Sequence, residues 1–260
     1  MKTLQKNTHL ACSGRNRLRP LGLSTLLLAC AGLLLACGGG QAPPAASLVP
    51  SQLKGRWVST SVTPAMTALV VPGVSGESNA WLLAQDASKL VKLVVRSDSS
   101  ISGYSYALSQ SDAIGLSVSG QVTTALNASP ASISLTGINA SALSLTRTDD
   151  LSSPAILADI TGAWRATLGG NAVVIQWALD ANGALYASSS TTGCTYTGNL
   201  TPVVSTAAYN AQFVEICPGS LPQDFRGIAV VSSAKDALTL VAVKTDESKG
   251  VAFFFSRPPV

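Results

Sequence analysis

The 260-residue chain carries the same pattern twice. Leu53-Lys-Gly55-Arg-Trp57 recurs as Ile160-Thr-Gly162-Ala-Trp164, and Gly103-Tyr-Ser-Tyr106 recurs as Gly193-Cys-Thr-Tyr196. Ser134-Leu-Thr136 matches Thr239-Leu-Val241, and Leu143-Ser-Leu-Thr-Arg147 matches Phe253-Phe-Phe-Ser-Arg257. Identity is low, but four landmarks keep their order. They define two units, 53–149 and 160–260, joined by a connector at 150–159. A repeat of this kind restricts the fold strongly, because both halves must satisfy one architecture.

Within each unit the writing is β-strand. Short runs rich in Val, Ser, Thr and Leu alternate in polarity and stop at Gly, Asn, Asp and Pro. Ile114-Gly-Leu116-Ser-Val118 and Ile133-Ser-Leu135 alternate cleanly, as does Leu90-Val-Lys92-Leu-Val94-Val-Arg96 with two cations on one face. Asp86-Ala-Ser-Lys89 and Asp180-Ala-Asn-Gly183 have the composition of hairpin turns. No amphipathic helix is legible beyond the N-terminal segment; residues 151–159 have room for one turn. Each unit can hold seven or eight strands, enough for a small sandwich or an up-and-down barrel.

The N-terminal 36 residues are of another kind. Lys2, Lys6, Arg15, Arg17 and Arg19 precede an apolar segment, Leu21–Ala36, with no acidic residue. A basic stretch, a short apolar core and small residues at its end make a secretory signal, and the segment is short for a membrane span. Its end, Leu34-Leu35-Ala36-Cys37-Gly38, resembles the lipobox of bacterial lipoproteins. The resemblance implies cleavage before Cys37, a diacylglycerol thioether on its sulfur and an acylated new N-terminus. Leu27-Leu28-Ala29-Cys30 is a second copy of the pattern, but Cys37 is favoured because a Gly/Pro/Ala-rich tether begins right after it. The alternative is an uncleaved signal anchor. Residues 37–52 are read as lipidated cysteine and flexible tether. Gly38 is not the aspartate that retains enterobacterial lipoproteins in the inner membrane. The expected location is therefore the outer membrane of a Gram-negative envelope, facing the periplasm or the surface.

Cleavage at Cys37 changes the chemistry of the chain. The formal charge of +4 becomes −1, since five of the 17 basic residues leave with the signal. That removes the electrostatic case for nucleic acid. The one histidine, His9, leaves too, so the mature chain has no Ser-His-Asp triad, Cys-His pair or His-ligated metal site. No cofactor and no metal are expected. Carboxylate pairs such as Asp98 with Asp112, or Asp149 with Asp150, resemble turn and surface groups more than a glycoside-cleaving pair. Ser51-Gln-Leu-Lys54 and Ser232-Ser-Ala-Lys235 satisfy Ser-x-x-Lys without its companion motifs. The chain is therefore read as non-enzymatic. It is expected to be a binding or scaffold module for an envelope protein or glycan, held to the membrane by lipid. The alternatives are a carrier of a small apolar ligand inside one barrel and, third, a carboxylate-based glycan hydrolase.

The Gly-x-Trp at the start of each unit and the Arg at its end resemble lipocalins and related small barrels. The resemblance implies all-β architecture, two tandem antiparallel barrels, in which Trp57 pairs with Arg147 and Trp164 with Arg257 across a closed end. Residues 160–185 also resemble the opening hairpin of avidins. The positions that touch biotin in that family are Ala166 and Gly170 here, which argues against biotin. Trp81, Trp177, Tyr104, Tyr106 and Tyr196 are left as candidates to face a ligand, against the plainer reading of core or edge cover.

With Cys12 and Cys30 in the signal and Cys37 lipidated, Cys194 and Cys217 remain for one disulfide or, less simply, a redox pair. A hairpin turning at Ser205-Thr206 would set them opposite each other on neighbouring strands. A bridge closing that loop stabilises by about 3 kcal/mol in the chain-entropy account. Intact-mass spectrometry of envelope-purified protein is expected to show a gain of about two hydrogens on reduction; two free thiols before reduction would contradict the bridge.

Overall fold

The computed structural model describes residues 47–59, 62–108, 113–168 and 173–258. Its strands form two closed antiparallel barrels of eight strands each, as the repeat leads one to expect. The first is built from β1 (Gly55–Ser59), β2 (Met66–Pro72), β3 (Ser78–Ala84), β4 (Lys89–Val95), β5 (Ser100–Ala107), β6 (Gly115–Ala125), β7 (Ser132–Leu135) and β8 (Leu143–Asp149). The second is built from β9 (Gly162–Leu168), β10 (Val173–Leu179), β11 (Ala184–Ser189), β12 (Thr195–Pro202), β13 (Ala208–Ile216), β14 (Gln223–Val231), β15 (Ala237–Lys244) and β16 (Gly250–Ser256). Each strand pairs with its sequence neighbours. β1 closes on β8 and β9 on β16, so neither sheet leaves a full-length edge strand.

Both barrels are shut by one device. A helical turn precedes the first strand: a 3₁₀ turn at Pro50–Leu53 and the single α-turn α1 at Leu157–Ile160. The Trp57 indole N–H donates to Leu53 O at 2.9 Å, and Trp164 donates to Ile160 O at 2.6 Å. The guanidinium of Arg147 stands 4.5 Å from the Trp57 ring centroid, and that of Arg257 stands 4.3 Å from Trp164. The same arginines serve carbonyls that the turns leave open: Arg147 donates to Gln52 O, and Arg257 to Asp159 O and Thr161 O. The glycine of Gly-x-Trp follows from this arrangement. Gly55 and Gly162 have φ of +150° and +111°, and a Cβ on Gly162 would sit 3.1 Å from the Arg257 guanidinium.

The structure differs from the sequence reading in two places. Residues 48–52, read as the end of a flexible tether, are docked. Leu48 N–H donates to Ser97 O, and Ser78 Oγ donates to the carbonyl of buried Pro50. The Gly103–Tyr106 landmark lies on the fifth strand of its barrel and Gly193–Tyr196 on the fourth strand of the other, so they are not equivalent. The other three landmarks do fall on matching strands. Cys30, Cys37 and Asp112 lie outside the described residues.

The barrel interiors are filled differently. The first is aliphatic around Trp57, with Leu82, Val91, Leu93, Leu143 and Leu145 essentially without solvent contact. The second is aromatic. Trp177 lies 4.6 Å from Phe255, 5.5 Å from Phe213 and 5.8 Å from Phe253 between ring centroids. The connector lies along the second barrel: Tyr209 Oη donates to Ile156 O and accepts from Ile156 N–H, while Ala155 N–H donates to Thr206 O.

Candidate functional site

Several strands are apolar on both faces. In β2, Ala68 and Val70 point into the first barrel while Leu69 and Val71 point out. β3 does the same with Ala80 and Leu82 against Trp81, and β15 with Leu240 and Ala242 against Val241 and Val243. The outward residues of the two barrels meet. Leu69, Val71, Trp81 and Leu90 form one buried cluster with Ile228, Val241 and Val243. A barrel wall facing water would not carry this second apolar row; burying it against the other barrel removes it from solvent.

The seam is fastened at one end by the β15–β16 hairpin. Ile114 pairs with Lys249 in an isolated antiparallel bridge, with Gly115 N–H donating to Ser248 O and Gly250 N–H to Ala113 O. Approach is close enough that a Cβ on Gly250 would lie 2.6 Å from the Tyr106 ring. The Glu247 carboxylate then accepts from three groups. Lys92 Nζ reaches it from the first barrel, Arg226 Nη2 from the second at 3.2 Å, and Tyr106 Oη from the first at 3.1 Å. Lys92 and Glu247 side chains are each about one-seventh exposed, so this pair is screened far less than a surface ion pair. Lys92 also stands 5.7 Å from the Trp81 ring.

At the margin of the buried seam, over Leu69, Trp81 and Ile228, the two walls part into a cleft of about 370 Å³. Leu69, Trp81 and Leu83 line it from the first barrel; Ile228, Val230 and Phe254 line it from the second. Arg56, Thr67 and Gln85 supply polarity on one side, Ser232 and Thr239 on the other. A mostly apolar hollow of this size with a few polar groups has the form of a small-molecule site.

The candidate residues named from sequence separate accordingly. Trp177 and Tyr196 lie in the aromatic interior of the second barrel. Tyr106 is buried in the seam, and Tyr104 is half-buried beside it. Trp81 alone of the five lines the cleft. Trp57, Arg147, Trp164 and Arg257 close the barrels as described. Cys194 and Cys217 are within disulfide distance across the β12–β13 register, and by strand parity they occupy a non-hydrogen-bonded pair. Glu215 lies near both sulfurs, but two bonded sulfurs offer no thiolate to a metal. Arg56, Phe254 and Glu247 escaped the sequence reading.

The polar groups proposed for catalysis are occupied elsewhere. Asp98 and Asp150 each accept from the N–H two residues on, at Ser100 and Ser152, and these contacts hold their carboxyls below the usual range. Lys54 Nζ donates to Ser205 O of the second barrel, and Lys235 pairs with Asp159 at 2.6 Å. No family model, curated protein or solved structure matches the chain.

Burial, and then the Glu247 carboxylate, push the Tyr106 phenol well above its ordinary value near 10. A raised folded pKa means stability that is intact below the unfolded value and lost as pH rises past it. Urea unfolding is expected to show stability falling above about pH 10. Tyr106→Phe should flatten part of that fall, Tyr196 and Tyr209 carrying the rest because burial raises them as well. An unchanged alkaline slope in Tyr106→Phe would contradict this.

Proposed function

We propose that the chain is an envelope lipoprotein, anchored through lipid on Cys37, whose two barrels act as one non-enzymatic binding module. The cleft between them is the binding surface. The observation that carries this reading is the cleft itself: its walls come from both barrels, with Leu69, Trp81 and Ile228 buried at its floor and Leu83, Val230 and Phe254 reaching solvent among the described residues. Phe254, at its rim, is 43% exposed. The lipobox and tether support the anchor. The side-chain-filled barrel interiors favour a surface binder over a carrier with its ligand inside one barrel. Asp98 and Asp150 are exposed turn carboxylates, each accepting from the N–H two residues on, which favours it over a glycan hydrolase.

Two measurements test the proposal. Cys37→Ala should abolish labelling by an alkyne fatty acid and move the protein out of the membrane fraction; retained labelling would overturn Cys37 as the anchor and point to Cys30. A photo-crosslinking residue at position 254 should capture an envelope component in intact cells, while one at Tyr186, exposed on the far wall of β11, should not. Equal capture at both positions, or none at 254, would overturn the assignment of the cleft.

A further inference from the structure

The strand register lays out a row across the outer face of the first barrel: Arg56 beside Leu69, Leu69 beside Trp81, Trp81 beside Lys92. Its two cations differ in their partners. Lys92 is committed to Glu247. Arg56 is half-buried at the cleft wall, and among the described residues its guanidinium makes no ion pair or hydrogen bond. Asp149 is its cross-strand neighbour on β8, but that carboxylate accepts from Leu151 N–H at 2.6 Å and lies beyond ion-pair distance of Arg56. No carboxylate lines the cleft among the described residues. A guanidinium beside an apolar hollow, with no counter-charge of its own, is complementary to an anion attached to something apolar. Trp81 is two strands, roughly 10 Å, from Arg56. The hollow is at the small end of the ligand-site range of about 300–1,000 Å³, too small for a folded partner to enter.

We infer that the cleft takes an amphiphile with one anionic head and a single apolar chain. The head sits at Arg56, and the chain runs between Leu83 and the facing Val230 and Phe254, over a floor of buried Leu69, Trp81 and Ile228. This rests on the cleft being the binding surface and adds the ligand's chemical class. Binding is non-covalent and needs no co-reactant.

The test uses the full-length lipidated chain in phosphatidylcholine nanodiscs with a dodecanoate carrying a terminal diazirine. After irradiation, peptide mapping is expected to place adducts on 67–85 and 228–254. Free decanoate should compete for labelling, and decyltrimethylammonium, of opposite charge, should not. Arg56→Gln should lower labelling about tenfold, the loss of one charge-assisted contact, while Arg165→Gln on the outer wall of the second barrel should not. Adducts confined to other segments, competition by the cation equal to that by the anion, or undiminished labelling in Arg56→Gln would each overturn the inference. If Arg56→Gln fails to fold, the competition pair on the native chain decides. Should dodecanoate fail while crosslinking through position 254 in cells succeeds, the cleft remains the binding surface and only this ligand class falls.

Discussion

The structure depends on a second apolar face. A small closed barrel needs inward apolar residues at every other position and can leave the rest polar. Here β2, β3, β14 and β15 carry Leu69, Val71, Trp81, Ile228, Val241 and Val243 outward as well. Exposed, such rows would draw in other molecules. Packed on each other, they join two barrels into one body and make Glu247 a shared ligand of Lys92 and Arg226. The cleft follows from the same walls where they diverge. The joint and the cleft thus draw on one strip of surface.

Each barrel is closed by local chemistry that repeats almost atom for atom. A helical turn, a glycine at positive φ, a tryptophan donating to the turn and an arginine from the last strand lying over the indole form one unit. The arginine donates to carbonyls at the turn, and stacking on a π face offsets part of the cost of a cation near the core. The interiors themselves are free to differ, aliphatic in one barrel and aromatic in the other, because volume filled matters more than residue identity.

Much of this was legible. The repeat and the period-two patterning lead to two β units, and the resemblance of the Gly-x-Trp and Arg landmarks to lipocalins implies barrels rather than sandwiches. The Ser205–Thr206 turn follows from the cysteine spacing. The seam was not legible, for a physical reason. Period-two reading assigns one face to the core and treats the other as solvated, so Leu90-Val-Lys92-Leu-Val94 reads as an alternating strand with a surface cation. Only its partner across the seam shows that Lys92 meets Glu247, 155 residues away. The continuous apolar runs Ala68–Val71 and Leu240–Val243 were the available signal, being what a strand buried on both faces looks like. Arg56 was hidden by position: it sits inside a landmark whose glycine and tryptophan already had explanations. Tyr106 and Tyr196 were aligned as equivalents, although one faces the seam and the other the interior.

The central claim is that the barrels pack into one body along their apolar strip, with the Lys92–Glu247 ion pair coupled across it. A double-mutant cycle with Lys92→Met and Glu247→Gln, read by urea unfolding, measures that coupling directly. The account predicts non-additivity of at least about 1 kcal/mol, as expected for contacting charges largely removed from solvent. Additive effects within about 0.3 kcal/mol would mean that the ion pair does not couple across the seam, and would contradict it.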